Sequence, residues 1–210
     1  GVISKVLLPA LTNNEGSLQS QKFLLKSSIQ FSFAIILPLV ALLSVFSEEF
    51  VFLLFGQKWA KLIPLLRIFS LISIFQIINS LLSNLFIVKK DTKILFFINM
   101  ITQPIHITNI IIFTVYYQSI IYLTIGYAIV SIFHSFMFWK FSLYKIEENI
   151  YFILNCIRPL LFTSLLLIFC FFILKYLNPP ISILIISIIL SISVYYTLIY
   201  YIYKIKSKSM

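Results

Sequence analysis

An all-α, polytopic membrane helix bundle is the fold class predicted here, on three observations. Only 10% of residues are charged and 61% are hydrophobic, with a mean hydropathy of +1.06, whereas a soluble domain carries about 25% charged residues. The apolar residues fall into six runs, each about 17 to 25 residues long, the length that crosses a bilayer as a helix. The basic residues stand in short clusters between those runs, where loop lysines orient a membrane protein.

Residues 1–10 (GVISKVLLPA) read as the tail of a helix ending near Pro9, and Leu11 to Ser20 is a polar stretch whose turn formers are Asn13, Asn14, Glu15 and Gly16. The chain opens on Gly1 inside an apolar phrase, so it reads as the continuation of a longer chain. In residues 21–30, Phe23, Leu24 and Ile29 alternate with Lys22 and Lys26, which predicts an amphipathic lead-in lying on the membrane surface.

The first span covers 31–47, with a kink expected at Pro38. The second covers 63–88 and sets the plan of the chain. It follows a Phe55-Gly56-Gln57 turn and Trp59, carries Arg67 near its start and stops on Lys89, Lys90, Asp91 and Lys93. The third span, 94–116, contains Pro104, and the fourth is 120–139. The fifth is 157–176, and the sixth, 181–203, follows the turn Asn178-Pro179-Pro180. The organisation is therefore a lead-in over 1–30, four spans within 31–140, and a loop with two final spans over 141–210.

Orientation follows from the loops. Of 16 Lys and Arg residues, six spans place twelve on the side of both termini and four (Lys58, Lys61, Arg67 and Lys175) on the other, so both ends are expected in the cytoplasm. Tyr195, Tyr196, Tyr200, Tyr201 and Tyr203 then form an inner aromatic belt, and Trp59 stands at the outer interface. The net charge of +10 is thus a membrane signature and predicts no nucleic-acid partner. Cys156 and Cys170 are isolated thiols without metal-ligand spacing. The outer segment 48–62 is too short for a folded catalytic domain.

All six acidic residues (Glu15, Glu48, Glu49, Asp91, Glu147 and Glu148) lie outside the spans. The chain therefore offers no intramembrane carboxylate for a coupling cation and no carboxylate pair for glycosidic chemistry. A Ser/His/Asp set, a phosphate-cradling glycine loop and a zinc spacing are also missing. No catalytic residue, metal or cofactor is expected.

What the spans contain is neutral polar residues at helical spacing. They are Ser73, Gln76, Ser80 and Ser83 with Asn79 and Asn84 in the second; Asn99, Gln103, His106 and Asn109 in the third; and Thr124, Tyr127, Ser131 and His134 in the fourth. Two readings stand. The stripes are interhelical hydrogen bonds, or three helices turn them toward a hydrated cavity suited to a hydroxyl-rich, sugar-bearing substrate. The cavity candidates are Arg67, Gln76, Asn79, Asn99, Gln103, His106 and His134. Arg67 is otherwise an interfacial arginine snorkelling to the outer headgroups, and each histidine taken alone is a packing residue.

VISKVLLPALTNN at 2–14, LPLVALLSVFSEEFVFLLFGQKW at 37–59 and IPLLRIFSLISIFQIINSLLSN at 63–84 together resemble the carboxy-terminal half of polysaccharide flippases. These are the lipid-linked oligosaccharide exporters of the multidrug/oligosaccharidyl-lipid/polysaccharide superfamily. The shared phrases are Val6 to Leu11 closing a helix, the proline span with Pro38, the turn Phe55-Gly56-Gln57-Lys58-Trp59, and Ile63 to Ile68 opening the next span. The likeness is good over 2–95 and generic beyond.

The resemblance implies a transporter of about 12 to 14 helices in two bundles around a central cavity, of which this chain is the last part. Its expected task is to move undecaprenyl-pyrophosphate-linked oligosaccharide from the inner to the outer leaflet of the bacterial cytoplasmic membrane, for O-antigen, capsule or exopolysaccharide assembly, without bond chemistry. Its partners are then the lipid-linked oligosaccharide, the phospholipid bilayer and the remaining amino-terminal helices. The alternatives are a cation-coupled multidrug exporter of the same superfamily, a membrane polysaccharide-assembly enzyme subunit, and a scaffold with no transport role.

Overall fold

The computed structural model describes residues 2–14, 16–177 and 181–208, with side chains for 7–14, 16–158, 160–177 and 186–200. Among the described residues the secondary structure is helical throughout. The helices are α1 (Val2–Asn13), α2 (Leu18–Val45), α3 (Ser47–Leu54), α4 (Leu62–Val88), α5 (Thr92–Ile111), α6 (Ile120–Tyr144), α7 (Ile150–Leu177) and α8 (Ile181–Lys208). A 3-10 turn, Gln57–Trp59, joins α3 to α4, and a π-helical stretch, Ile112–Tyr116, extends α5.

Five of these helices are long and apolar enough to cross a bilayer: Leu18–Val45, Leu62–Val88, Thr92–Tyr116, Ile120–Tyr144 and Leu160–Leu177 within α7. α8 supplies a sixth apolar stretch, Ile186–Tyr200. The protein is a multi-pass helical membrane bundle.

Helix continues where hydrophobicity stops. The expected surface-lying lead-in is instead the first turns of α2, capped by Ser17, whose Oγ accepts the Ser20 amide at 3.3 Å. Gln21, Leu25 and Ile29 are buried there, so this stretch packs against protein rather than headgroups. α2 also runs through Pro38 without a break in the helix. α6 continues to Tyr144 and α7 begins at Ile150, which reduces the expected cytoplasmic loop to a few residues. The segment 48–62 after the first span is largely helical, as α3 and the 3-10 turn. The turn predicted at Asn178-Pro179-Pro180 lies outside the described residues.

The helices pack in the order α5, α6, α4, α2, α7, α8, with α1 in the angle between α2 and α4. α2 and α7 run parallel: Gln30 Nε2 donates to the Cys156 carbonyl at 3.3 Å, and Lys175 Nζ donates to the Val45 carbonyl at 3.2 Å. The main core joins Leu11 of α1, Ile29 and Phe33 of α2, Leu82 and Phe86 of α4, Leu143 of α6 and Leu160 of α7. A smaller cluster joins Ala41, Val45, Phe46, Leu167, Phe171 and Tyr195. Tyr195 is therefore a packing residue at 2% exposure, while Tyr196 and Tyr200 are exposed as a belt requires. The side chains of Tyr201 and Tyr203 lie outside the described residues.

Ion pairs collect at two opposite ends. Lys22 meets Glu148 at 2.9 Å and Lys145 meets Asp91 at one end, and Lys175 meets Glu49 at 3.0 Å and Glu48 at 3.9 Å at the other. Glu48 and Glu49 stand in the first turn of α3, where the helix dipole favours negative charge.

Candidate functional site

α4, α5 and α6 line a cavity of about 210 Å³, open on one side, halfway along their lengths. Gln76 and Asn79 reach it from α4, Thr102, Gln103 and His106 from α5, and Tyr127, Ser131 and His134 from α6. Each helix presents these residues at i, i+3 or i+4 spacing, which stacks them on one face. Gln76 follows the start of α4 at Leu62 by fourteen residues, or about 21 Å at 1.5 Å per residue, so the cavity lies deep in the membrane-spanning part.

Several of these groups hold one another. Gln76 Nε2 donates to Tyr127 Oη at 3.5 Å, and the His106 ring lies 4.9 Å from the Tyr127 ring. Asn79 Nδ2 donates to Ser135 Oγ at 2.9 Å, and the Trp139 indole N–H donates to Asn79 Oδ1 at 2.7 Å. Thr102 and Ser135 turn their hydroxyls back to the Ile98 and Ser131 carbonyls, at 3.0 Å and 2.8 Å. Two atoms are left over: His106 Nδ1 and His134 Nε2 are buried and have no hydrogen-bond partner among the described residues. An orphaned polar atom in a low-dielectric interior costs about 1–3 kcal/mol, so these nitrogens are where a polar ligand or ordered water gains most.

α5 reaches this position through a close approach further along. A Cβ on Gly126 of α6 would lie 1.9 Å from Asn109 Oδ1. Only glycine admits the amide there, and Asn109 Nδ2 then donates to the Leu123 carbonyl at 3.3 Å. Pro104, beside Gln103 in α5, has no N–H to return to the carbonyl one turn back.

Of the seven cavity candidates, the structure brings together Gln76, Asn79, Gln103, His106 and His134. It leaves Arg67 and Asn99 outside the lining. Arg67 stands near the start of α4, its Nε donating to Ser47 Oγ at 2.6 Å beneath α3. Asn99 is half-buried, nearer the start of α5. Thr102 was absent from the polar stripe of its helix, although it lies three residues from Asn99 and four from His106 on the same face.

The lining is neutral and rich in hydrogen-bonding groups. No carboxylate reaches it, and among the described residues no group of three or more His, Cys, Asp or Glu side chains could hold a metal ion. Such a surface can bind hydroxyl, ether and amide groups.

Fold and cavity together define a multi-pass membrane protein with a polar chamber at mid-depth. A family model described as "Polysaccharide biosynthesis protein" matches residues 1–64. The match spans α1, α2, α3 and the opening of α4, and every cavity residue lies beyond it. No curated protein and no solved structure matches the chain.

Proposed function

We propose that this chain forms one bundle of a lipid-linked oligosaccharide flippase and that the α4–α5–α6 cavity is a sugar-binding part of its passage. The carrying observation is the cavity lining: amide, hydroxyl and imidazole groups converge at mid-membrane, with two buried imidazole nitrogens still free to bond. A glycan offers a dense array of hydroxyls to such groups. The hydrocarbon of a bilayer offers none, and polar residues held at that depth face a cavity or a partner. The likeness of residues 1–64 to polysaccharide biosynthesis proteins supports the same direction.

Gln76 and Gln103 are both exposed on the open side of the cavity. Leaving amides against lipid is unfavourable, so further helices of the same transporter cover that side and complete the passage. The task is translocation without bond chemistry, in the bacterial cytoplasmic membrane, with the lysine-rich end inside. All the described acidic side chains of the two ends are engaged in ion pairs or stand clear of the cavity, which disfavours a cation-coupled drug exporter.

The test is a deletion strain with no redundant flippase, complemented with the full-length protein or with a Gln103→Leu, His134→Leu double variant. Lipid-linked repeat units should accumulate on the cytoplasmic leaflet in the deletion and in the double variant, with surface polysaccharide restored only by the wild type. Normal surface polysaccharide in the deletion strain overturns the reading.

A further inference from the structure

At the lysine-rich end a second, larger hollow of about 670 Å³ lies between the start of α5, the end of α6 and the start of α7. α6 and α7 barely touch each other, because each packs mainly on α4 or α2, and the gap between them stays open. Ile94, Phe141, Leu143 and Ile150 make its wall, and Tyr144 and Tyr151 flank it, 80% and 71% exposed. Tyrosines at that level are the amphipathic residues of a membrane interface.

The charges at the hollow are unequal. Lys145 is taken up by Asp91, and Glu148 by Lys22. Lys140 also lines the hollow, is exposed, and has no ion pair among the described residues. One uncompensated ammonium thus stands over an apolar trough at the bilayer surface. The volume lies within the range of about 300–1,000 Å³ that accommodates small ligands.

We propose that this hollow binds one anionic phospholipid, with its phosphate on Lys140 and an acyl chain along Ile94, Phe141 and Ile150. Basic pockets between transmembrane helices on the inner side suit anionic headgroups, and a zwitterionic lipid would set its own ammonium beside Lys140. The ligand is a structural lipid, separate from any cargo of the α4–α5–α6 cavity, so its test is independent of the transport reading.

Native mass spectrometry of the purified full-length protein provides that test, with phosphatidylglycerol or phosphatidylcholine titrated into the micelles. One phosphatidylglycerol should be retained in preference to phosphatidylcholine. Lys140→Gln should weaken its retention about tenfold, the loss of one charge-assisted contact of about 1.4 kcal/mol, and Lys140→Arg should keep it. Lys61→Gln, at the other end, should change nothing. Glycerol phosphate at millimolar concentration should not compete, since it lacks the acyl chain. Equal retention of both lipids, an undiminished preference in Lys140→Gln, competition by glycerol phosphate, or a second protein copy in place of the lipid would each overturn the proposal.

Discussion

The Trp139 indole on α6 donates to Asn79 Oδ1 on α4 at 2.7 Å, and the other end of that amide donates to Ser135 at 2.9 Å. An indole N–H can only donate, so the amide orientation is determined. One asparagine thus ties two parallel helices at the edge of the cavity. Phe75 stacks on Trp139 with ring centroids 5.6 Å apart and an interplanar angle of 10°, which keeps the indole in place.

Removing that amide should loosen α4 from α6. Asn79→Ala leaves the buried indole N–H without its acceptor and removes the bond that Ser135 Oγ accepts, while the Ser135 hydroxyl keeps the Ser131 carbonyl. Interhelical hydrogen bonds in membranes average about 0.6 kcal/mol and reach about 1.7 kcal/mol. A double-mutant cycle of Asn79→Ala with Trp139→Phe, read by unfolding in mixed micelles, should give a coupling in that range. Additivity within about 0.3 kcal/mol would mean the contact contributes nothing.

The spans were legible because a bilayer demands one signal, unbroken apolar length, and α4 stops at Val88 as predicted. The start of α2, the end of α6 and the start of α7 were misplaced because helix formation does not need hydrophobicity there: Lys22 and Lys145 find Glu148 and Asp91 across the loops. The polar stripes were legible for a similar reason, since i, i+3 and i+4 spacing reports azimuth around a helix. It does not report the depth at which neighbouring helices part. Asn99 and Arg67 have suitable chemistry at other heights along α5 and α4, and Thr102 has the right height with a less conspicuous side chain.

Gly126→Ala should separate α5 from α6. The new methyl group would lie 1.9 Å from Asn109 Oδ1 and 2.9 Å from the Phe113 ring, and such overpacking costs about 1–3 kcal/mol. The melting temperature should fall, and Asn109→Ala in the same chain should recover part of the loss, because the carboxamide is the nearer obstacle. A double variant no more stable than Gly126→Ala alone would place the strain at Phe113.

Gly56 tests the backbone rather than packing. Its φ of 81° and ψ of 173° lie in a region open essentially to glycine, at a cost of about 1–3 kcal/mol for other residues. A Cβ there meets nothing within 4 Å, so Gly56→Ala should destabilise through conformation alone. Gly16, with equally open surroundings and no positive φ, is the control: Gly16→Ala should leave unfolding unchanged. Equal effects at the two sites would remove the backbone explanation for the turn before Trp59.

Water access separates chamber from packing. In a Cys170→Ser background, which removes the exposed native thiol, cysteines at Gln76, Gln103 and His106 should react with a membrane-impermeant thiol reagent. A cysteine at Ile111, which is 52% exposed on the helix surface, should stay inert in lipid. Inertness at all four positions would make the polar stripes interhelical glue.

Gln76→Leu with Gln103→Leu asks whether the cavity is kept for stability or for use. Neither amide is buried, and the hydrogen bond from Gln76 to Tyr127, at 3.5 Å, is long. Its loss should cost the fold less than the roughly 0.6 kcal/mol average for such bonds, and two leucines recover hydrophobic contact wherever lipid reaches them. Unfolding in micelles should therefore be unchanged or shifted upward. Surface polysaccharide in a complemented deletion strain should nevertheless fall well below wild type if the proposed passage runs over these two amides. A fold that weakens while transport persists would reverse the assignment and make both glutamines structural.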